Sequence, residues 1–146
     1  MICERISSFG AFSDTARFSR RQPSAASFEL DVLPILTARG CNQGACHGKA
    51  RGQNGFQLSL LAFDPEFDYS ALTQQARGRR VFPAAPQRSL LLLKGTATLP
   101  HGGGLRLEPG SADYELLLSW IKLGTPRRAE NEPKLVSVAV NAPERF

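Results

Sequence analysis

The stretch "GCNQGACHGKARGQNGF", residues 40–56, contains two of the three cysteines and one of the two histidines in the 146-residue chain. Its core is a Cys-x-x-x-x-Cys-His run, Cys41 to His47. Three chemistries compete for it. A Cys41–Cys46 disulfide would close a very small loop, add little stability, and leave His47 unexplained. Zinc accepts a Cys-x4-Cys pair, but it needs a second pair of ligands at similar spacing. Only His47 and His101 remain to supply it, and the adjacent side chains of Cys46 and His47 diverge instead of converging on one small ion. The third chemistry is covalent haem attachment, whose usual signature is Cys-x-x-Cys-His. There divergence is required: two thiols reach the porphyrin edge while the next histidine turns under the ring to the iron. The departure is the gap, four residues instead of two. Asn42 to Ala45 must bulge, and Gly44 is expected to ease the bulge by taking positive φ.

Outward from this run, the composition describes one domain with a real core. Hydrophobic residues make up 42% of the chain, with nine Phe, and the length suits a single core better than two. No apolar run approaches the ~18–20 residues of a transmembrane helix. The net charge of +5 comes mostly from scattered arginines. There is no long basic run and no alternation of aromatic with basic residues, so no nucleic-acid surface is indicated. No Gly-x-Ser-x-Gly surrounds Ser59, Ser89 or Ser119, so no serine hydrolase is indicated. The odd third cysteine, Cys3, lies in a Ser- and Arg-rich stretch.

That stretch, residues 1–27, reads as a disordered or unassigned tail without the apolar core of a secretory signal. "SFELDVLPILTARG" follows with helical spacing of Phe28, Val32, Ile35 and Leu36, Ser27 as N-cap and a break near Leu33 forced by Pro34. "DPEFDYSALTQQARG" opens with an Asp cap and Pro at the first helical position. The acidic trio Asp64, Glu66 and Asp68 reads as that helix start. "APQRSLLLLKG" reads as one short buried helix. "SADYELLLSWIKLG" is the strongest helix, capped by Ser111 and stopped by Gly124 and Pro126. Phe56, Leu58 and Leu60 alternate, leaving room for a short β pair between "FQLSL" and "RRVF". The fold class is therefore mostly α. Residues 28–126 form the domain. Residues 127–146 are a linker and, at "LVSVAV", the start of a truncated β domain.

The segments "FELDVLPILTARGCNQGACHGKARGQNGFQLSLLAFDPEFDY", "GRRVFPAAPQRSLLLLK", "PHGGG" and "YELLLSWIKLGTP" together resemble the planctomycete-type cytochrome c domains, over roughly residues 28–145. The resemblance implies a cytochrome c-like single domain. It would bind haem c through Cys41 and Cys46, with His47 as proximal iron ligand, and carry out one-electron transfer. It also implies a periplasmic or cell-envelope location and a redox partner or fused downstream domains, the chain being a non-catalytic part of a larger oxidoreductase. Small cytochromes c often use Met as sixth ligand, but the one Met here is Met1. In the corresponding loop, "LPHGGG", His101 takes that place, with Gly102 to Gly104 allowing close backbone approach.

Arg77, Arg79, Arg80 and Lys94 read as solvated charges that haem propionates would accept as partners. Phe28, Phe56, Phe63 and Trp120 read as core that would pack on the porphyrin. The alternative is a zinc-stabilised or structural interaction domain using Cys41, Cys46, His47 and His101. A haem sensor or peroxidase would need an open sixth position in place of His101.

Overall fold

Ser27 starts the fold. Its hydroxyl accepts the Leu30 N–H and caps the first turns. Those turns, Phe28–Val32, are wound wider than an α-helix, with the Val32 N–H reaching Ser27 O at 3.2 Å and the Leu33 N–H reaching Phe28 O. From Leu33 the winding tightens into α1, Leu33–Ala38. Pro34 explains the change. It has no N–H to donate, and its ring crowds the carbonyl four residues back. The winding changes at Leu33, where the sequence places a break.

The structure is a computed structural model that describes residues 26–48, 50–130 and 132–139. It is mostly helical. Three further helices follow: α2, Pro65–Thr73, α3, Leu90–Gly95, and α4, Ala112–Lys122. Asp64 caps α2 by accepting the Phe67 N–H, and Ser111 caps α4 by accepting the Tyr114 N–H. α4 ends at Gly124, whose φ of +83° suits glycine. "APQRSLLLLKG" is two pieces rather than one helix. A single tight turn, Pro86–Arg88, is separated from α3 by Ser89, which is extended (ψ 131°) and accepts the Phe82 N–H on its hydroxyl.

The core gathers on Phe28. Its ring meets Tyr69 of α2 edge-on at 5.2 Å and lies 5.8 Å from Trp120 of α4. Leu36, Leu58, Leu72, Leu92, Leu117 and Ile121 close around them, all fully buried. Each such side chain contributes about 1.5–3 kcal/mol through burial. The Trp120 ring N–H is satisfied by Pro126 O at 2.9 Å. Arg127 closes the domain. Its carbonyl accepts the Phe28 N–H at 3.0 Å, and its guanidinium pairs with Glu29 and Glu66. The packed unit thus runs from Ala26 through Arg127, slightly beyond 28–126 at both ends.

The expected β pair is absent among the described residues, where one isolated bridge joins Gln53 and Phe56 across a tight turn. The reason is that the relevant backbone groups are used elsewhere. Leu58 N–H goes to His47 O, Phe56 O is taken by the His47 ring, and Ser59 N–H goes to the Asp68 carboxylate. Arg80 O accepts from Leu91 N–H. Alternation of Leu58 and Leu60 therefore has no sheet to face: Leu58 is buried and Leu60 exposed. Residues 132–139 carry no helix or strand, and Leu135, Val136 and Val138 are exposed. The expected tail falls, up to residue 25, outside the described residues, as does 140–146. No helix among the described residues is long and apolar enough to cross a membrane.

Candidate functional site

α1 delivers the cysteine run through its C-terminal cap. Gly40, at φ +73°, sends its N–H to Thr37 O (3.0 Å), and Cys41 sends its own to Leu36 O (2.8 Å). This paired closure is the Schellman motif, and it fixes Cys41 directly on the helix end. The chain then folds back on itself. Cys46 N–H and Gly48 N–H both reach Gln43 O, at 2.9 and 3.0 Å, and His47 N–H reaches Cys41 O at 3.0 Å. The four-residue gap is thus a closed turn, with Gln43, Gly44 and Ala45 outside and Asn42 buried. Gly40, not Gly44, supplies the positive φ. Gly48 is needed for a different reason: a Cβ there would lie 2.0 Å from Asn42 O. Asn42 donates from its amide to Thr37 Oγ1 at 2.8 Å, while its buried Oδ1 has no partner.

Both cysteines are half-buried free thiols. Burial pushes Cys41 up to about 11, with Arg106 opposing and Cys46 adding to the rise. The thiols are thus near enough to influence one another, and Cys41 is protonated at neutral pH.

His47 and His101 face each other. Their rings are nearly parallel, 8° apart in plane, with centroids separated by 6.2 Å. Nδ1 of His47 lies 3.0 Å from Phe56 O, and Nδ1 of His101 lies 3.1 Å from Gly104 O. A carbonyl only accepts, so in each neutral ring Nδ1 carries the proton and Nε2 the lone pair. Metal-binding histidines are oriented in this way, by a hydrogen bond from the second ring nitrogen.

Cationic side chains position the His101 loop. Lys94 donates to Pro100 O at 2.6 Å, and Arg106 donates to Gly103 O at 2.8 Å. Gly104, at φ +68°, returns its N–H to His101 O at 2.9 Å. α3 supports the loop from below. Gly95 O accepts both Arg106 N–H and Leu107 N–H, and a Cβ on Gly95 would meet Leu107 at 2.7 Å.

A zinc cage is not formed by these residues. Among the described residues no three or more His, Cys, Asp or Glu side chains are grouped to hold a metal ion. Two thiols and two imidazoles are the donor types that a covalently held haem would use. Exposed leucines flank both loops: Leu60, in contact range of Gly44, and Leu61 beside the cysteine turn, and Leu105 beside His101.

Several sequence expectations need correction. Arg80 is not solvated. It is buried, giving Nη2 to Gly55 O at 2.5 Å and Nη1 to Ala71 O, with its guanidinium 4.5 Å over the Phe56 ring. Arg77 and Arg79 are exposed, whereas Lys94 is engaged in the His101 loop. Phe63 is not core: it is 91% exposed. Phe28 and Trp120 pack on each other. Phe56 packs on His47 at 4.4 Å. Arg106, which holds Gly103 O, is a site residue that nothing in its sequence context marks.

No family model, no curated protein and no solved structure matches the chain.

Proposed function

We propose that this chain is a c-type cytochrome domain that holds one haem covalently and transfers single electrons. The observation that supports this reading best is the histidine pair, near-parallel rings 6.2 Å apart, each with Nδ1 on a backbone carbonyl. When bound, the haem supplies a one-electron ferric–ferrous couple. Cys41 and Cys46 would hold it by thioether bonds, and His47 and His101 would hold its iron. Phe56 O and Gly104 O hold the two Nδ1 positions and so orient the rings, and Leu60, Leu61 and Leu105 keep water from the ring edge. Two histidines and no methionine favour a low potential and a low-spin centre, because methionine ligation raises the potential. By the same resemblance, the domain works outside the cytoplasm and passes electrons to a partner protein or to domains fused after it.

The test is expression with haem-maturation machinery, followed by intact mass and a pyridine haemochrome spectrum. Covalent haem is expected; zinc without iron would end the reading. His101→Ala should then convert the ferric spectrum from low to high spin, and an unchanged spectrum would remove His101 as ligand.

A further inference from the structure

Arg80 is a buried cation without a buried anion. It is 6% exposed, and among the described residues no carboxylate pairs with it. Removing a guanidinium from water costs several kcal/mol, and two carbonyl oxygens and an aromatic face offset only part of that cost. An apolar side chain would fill the position more cheaply. What the charge touches gives it a purpose. Its Nη2 holds Gly55 O, and the next carbonyl in the chain, Phe56 O, receives the His47 ring proton. Its guanidinium lies 4.5 Å over the Phe56 ring, and that ring lies 4.4 Å from His47.

The geometry points to Arg80 as the positioning residue of the proximal histidine. It clamps the Gly55–Phe56 turn so that His47 keeps its proton on Nδ1. Its uncompensated positive charge, behind the Phe56 ring, also favours the reduced and less positive state of the bound centre. The first role holds for the chain itself; the second rests on the haem reading. A single charge about 10 Å away in a protein interior of effective dielectric ~20 changes a one-electron equilibrium by on the order of tenfold, which is about 59 mV.

Two measurements test the pair of roles. In the full chain without haem, nitrogen-15 NMR should show neutral His47 as the Nδ1–H tautomer, and Arg80→Gln should mix the tautomers. A wild-type His47 protonated on Nε2, or a folded Arg80→Gln chain with an unmixed Nδ1–H tautomer, overturns the positioning role whether or not haem attaches. In the loaded chain, Arg80→Gln should shift the equilibrium about tenfold towards the oxidised form, while Arg80→Lys, which keeps the charge but not the fork, should stay within about twofold. An unchanged potential in Arg80→Gln, or an equal shift in Arg80→Lys, overturns the electrostatic role.

Should Arg80→Gln not fold, Gly55→Asp decides. A Cβ at Gly55 meets nothing within 4 Å, and Asp tolerates its left-handed φ. The added carboxylate, on the residue whose carbonyl the guanidinium holds, should shift the potential in the same direction by a few-fold. No shift overturns the role. Failure of haem attachment is read separately, from the mass of the chain.

Discussion

The two halves of the site reach the same end by different means. On the His47 side the main chain does the holding. Both backbone groups of His47 are bonded, its N–H to Cys41 O and its C=O from Leu58 N–H, and the turn closes twice on Gln43 O. On the His101 side the main chain contributes one bond at the histidine, Gly104 N–H to His101 O, and two side chains add the ties, Lys94 on Pro100 O and Arg106 on Gly103 O. A main-chain lattice permits one geometry. Side-chain ties on a glycine-rich loop permit several, at a small difference in free energy. The difference predicts a rigid His47 and an adjustable His101.

The strongest way to break that contrast is Gly48→Ala. Its methyl would lie 2.0 Å from Asn42 O, inside the turn, where neither backbone strand can yield. We expect a loss of about 3 kcal/mol or more and a thermal melt by circular dichroism that falls accordingly. A wild-type melting temperature would show that the cysteine turn is as adjustable as the His101 loop. Next in size is Arg106→Ala. A charged hydrogen bond to a carbonyl contributes about 1.5–3 kcal/mol, and here its loss should fall on the loop alone. The melt should hardly move, while the ferric spectrum of the loaded protein gains a high-spin fraction. Lys94→Ala should do the same more weakly, because its tie is exposed. Equal melting losses in Gly48→Ala and Arg106→Ala would erase the contrast.

The smallest effect concerns the anchor under the proximal side. Asp68 in α2 accepts from Ser59 N–H at 2.5 Å and Ser59 Oγ at 2.7 Å, tying the segment that holds His47 O. Asp68→Asn should cost about 1 kcal/mol. Burial raises the Asp68 carboxyl above its ordinary range, with Asp64 adding to the rise. The folded protein therefore holds that proton more tightly than the unfolded chain. The resulting stability is complete below the ordinary carboxylate pKa and lost as pH rises through the folded value. Urea titrations should show the wild-type advantage over Asp68→Asn larger in acid than at neutral pH. A gap that widens towards neutral pH would reverse the sign.

Legibility in the sequence followed locality. Ser27, Asp64 and Ser111 announce helix starts through bonds to residues three positions on, and Pro34 announces its break within the same turn. Those signals are local and chemical, so the chain displays them. The β pair was misread because alternation of Phe56, Leu58 and Leu60 is local, whereas the fate of their backbone groups depends on His47 and Asp68. Arg80 was misread for the same reason, since its carbonyl partners are nine and twenty-five residues away. The glycine assignment failed on geometry: the bulge is closed by hydrogen bonds, so the left-handed residue is needed one position before Cys41, not inside the gap. The pairing of His47 with His101 enters the sequence reading only through the family resemblance, whose corresponding loop holds His101; the structure brings the two rings to 6.2 Å. The tautomer that orients each ring was not readable.

The turn between the cysteines has a practical meaning for whatever handles the thiols. Gln43, Gly44 and Ala45 are exposed, and the turn closes on main chain alone, Gln43 O accepting from the Cys46 and Gly48 N–H groups. Any enzyme working on Cys41 and Cys46 meets those three residues first, so the extra length of the gap is a handle. A partner that recognises a two-residue spacing by shape would have to grip a larger knob here. Substituting Gln43, Gly44 and Ala45 should therefore alter the rate at which the thiols are modified while leaving the folded domain intact.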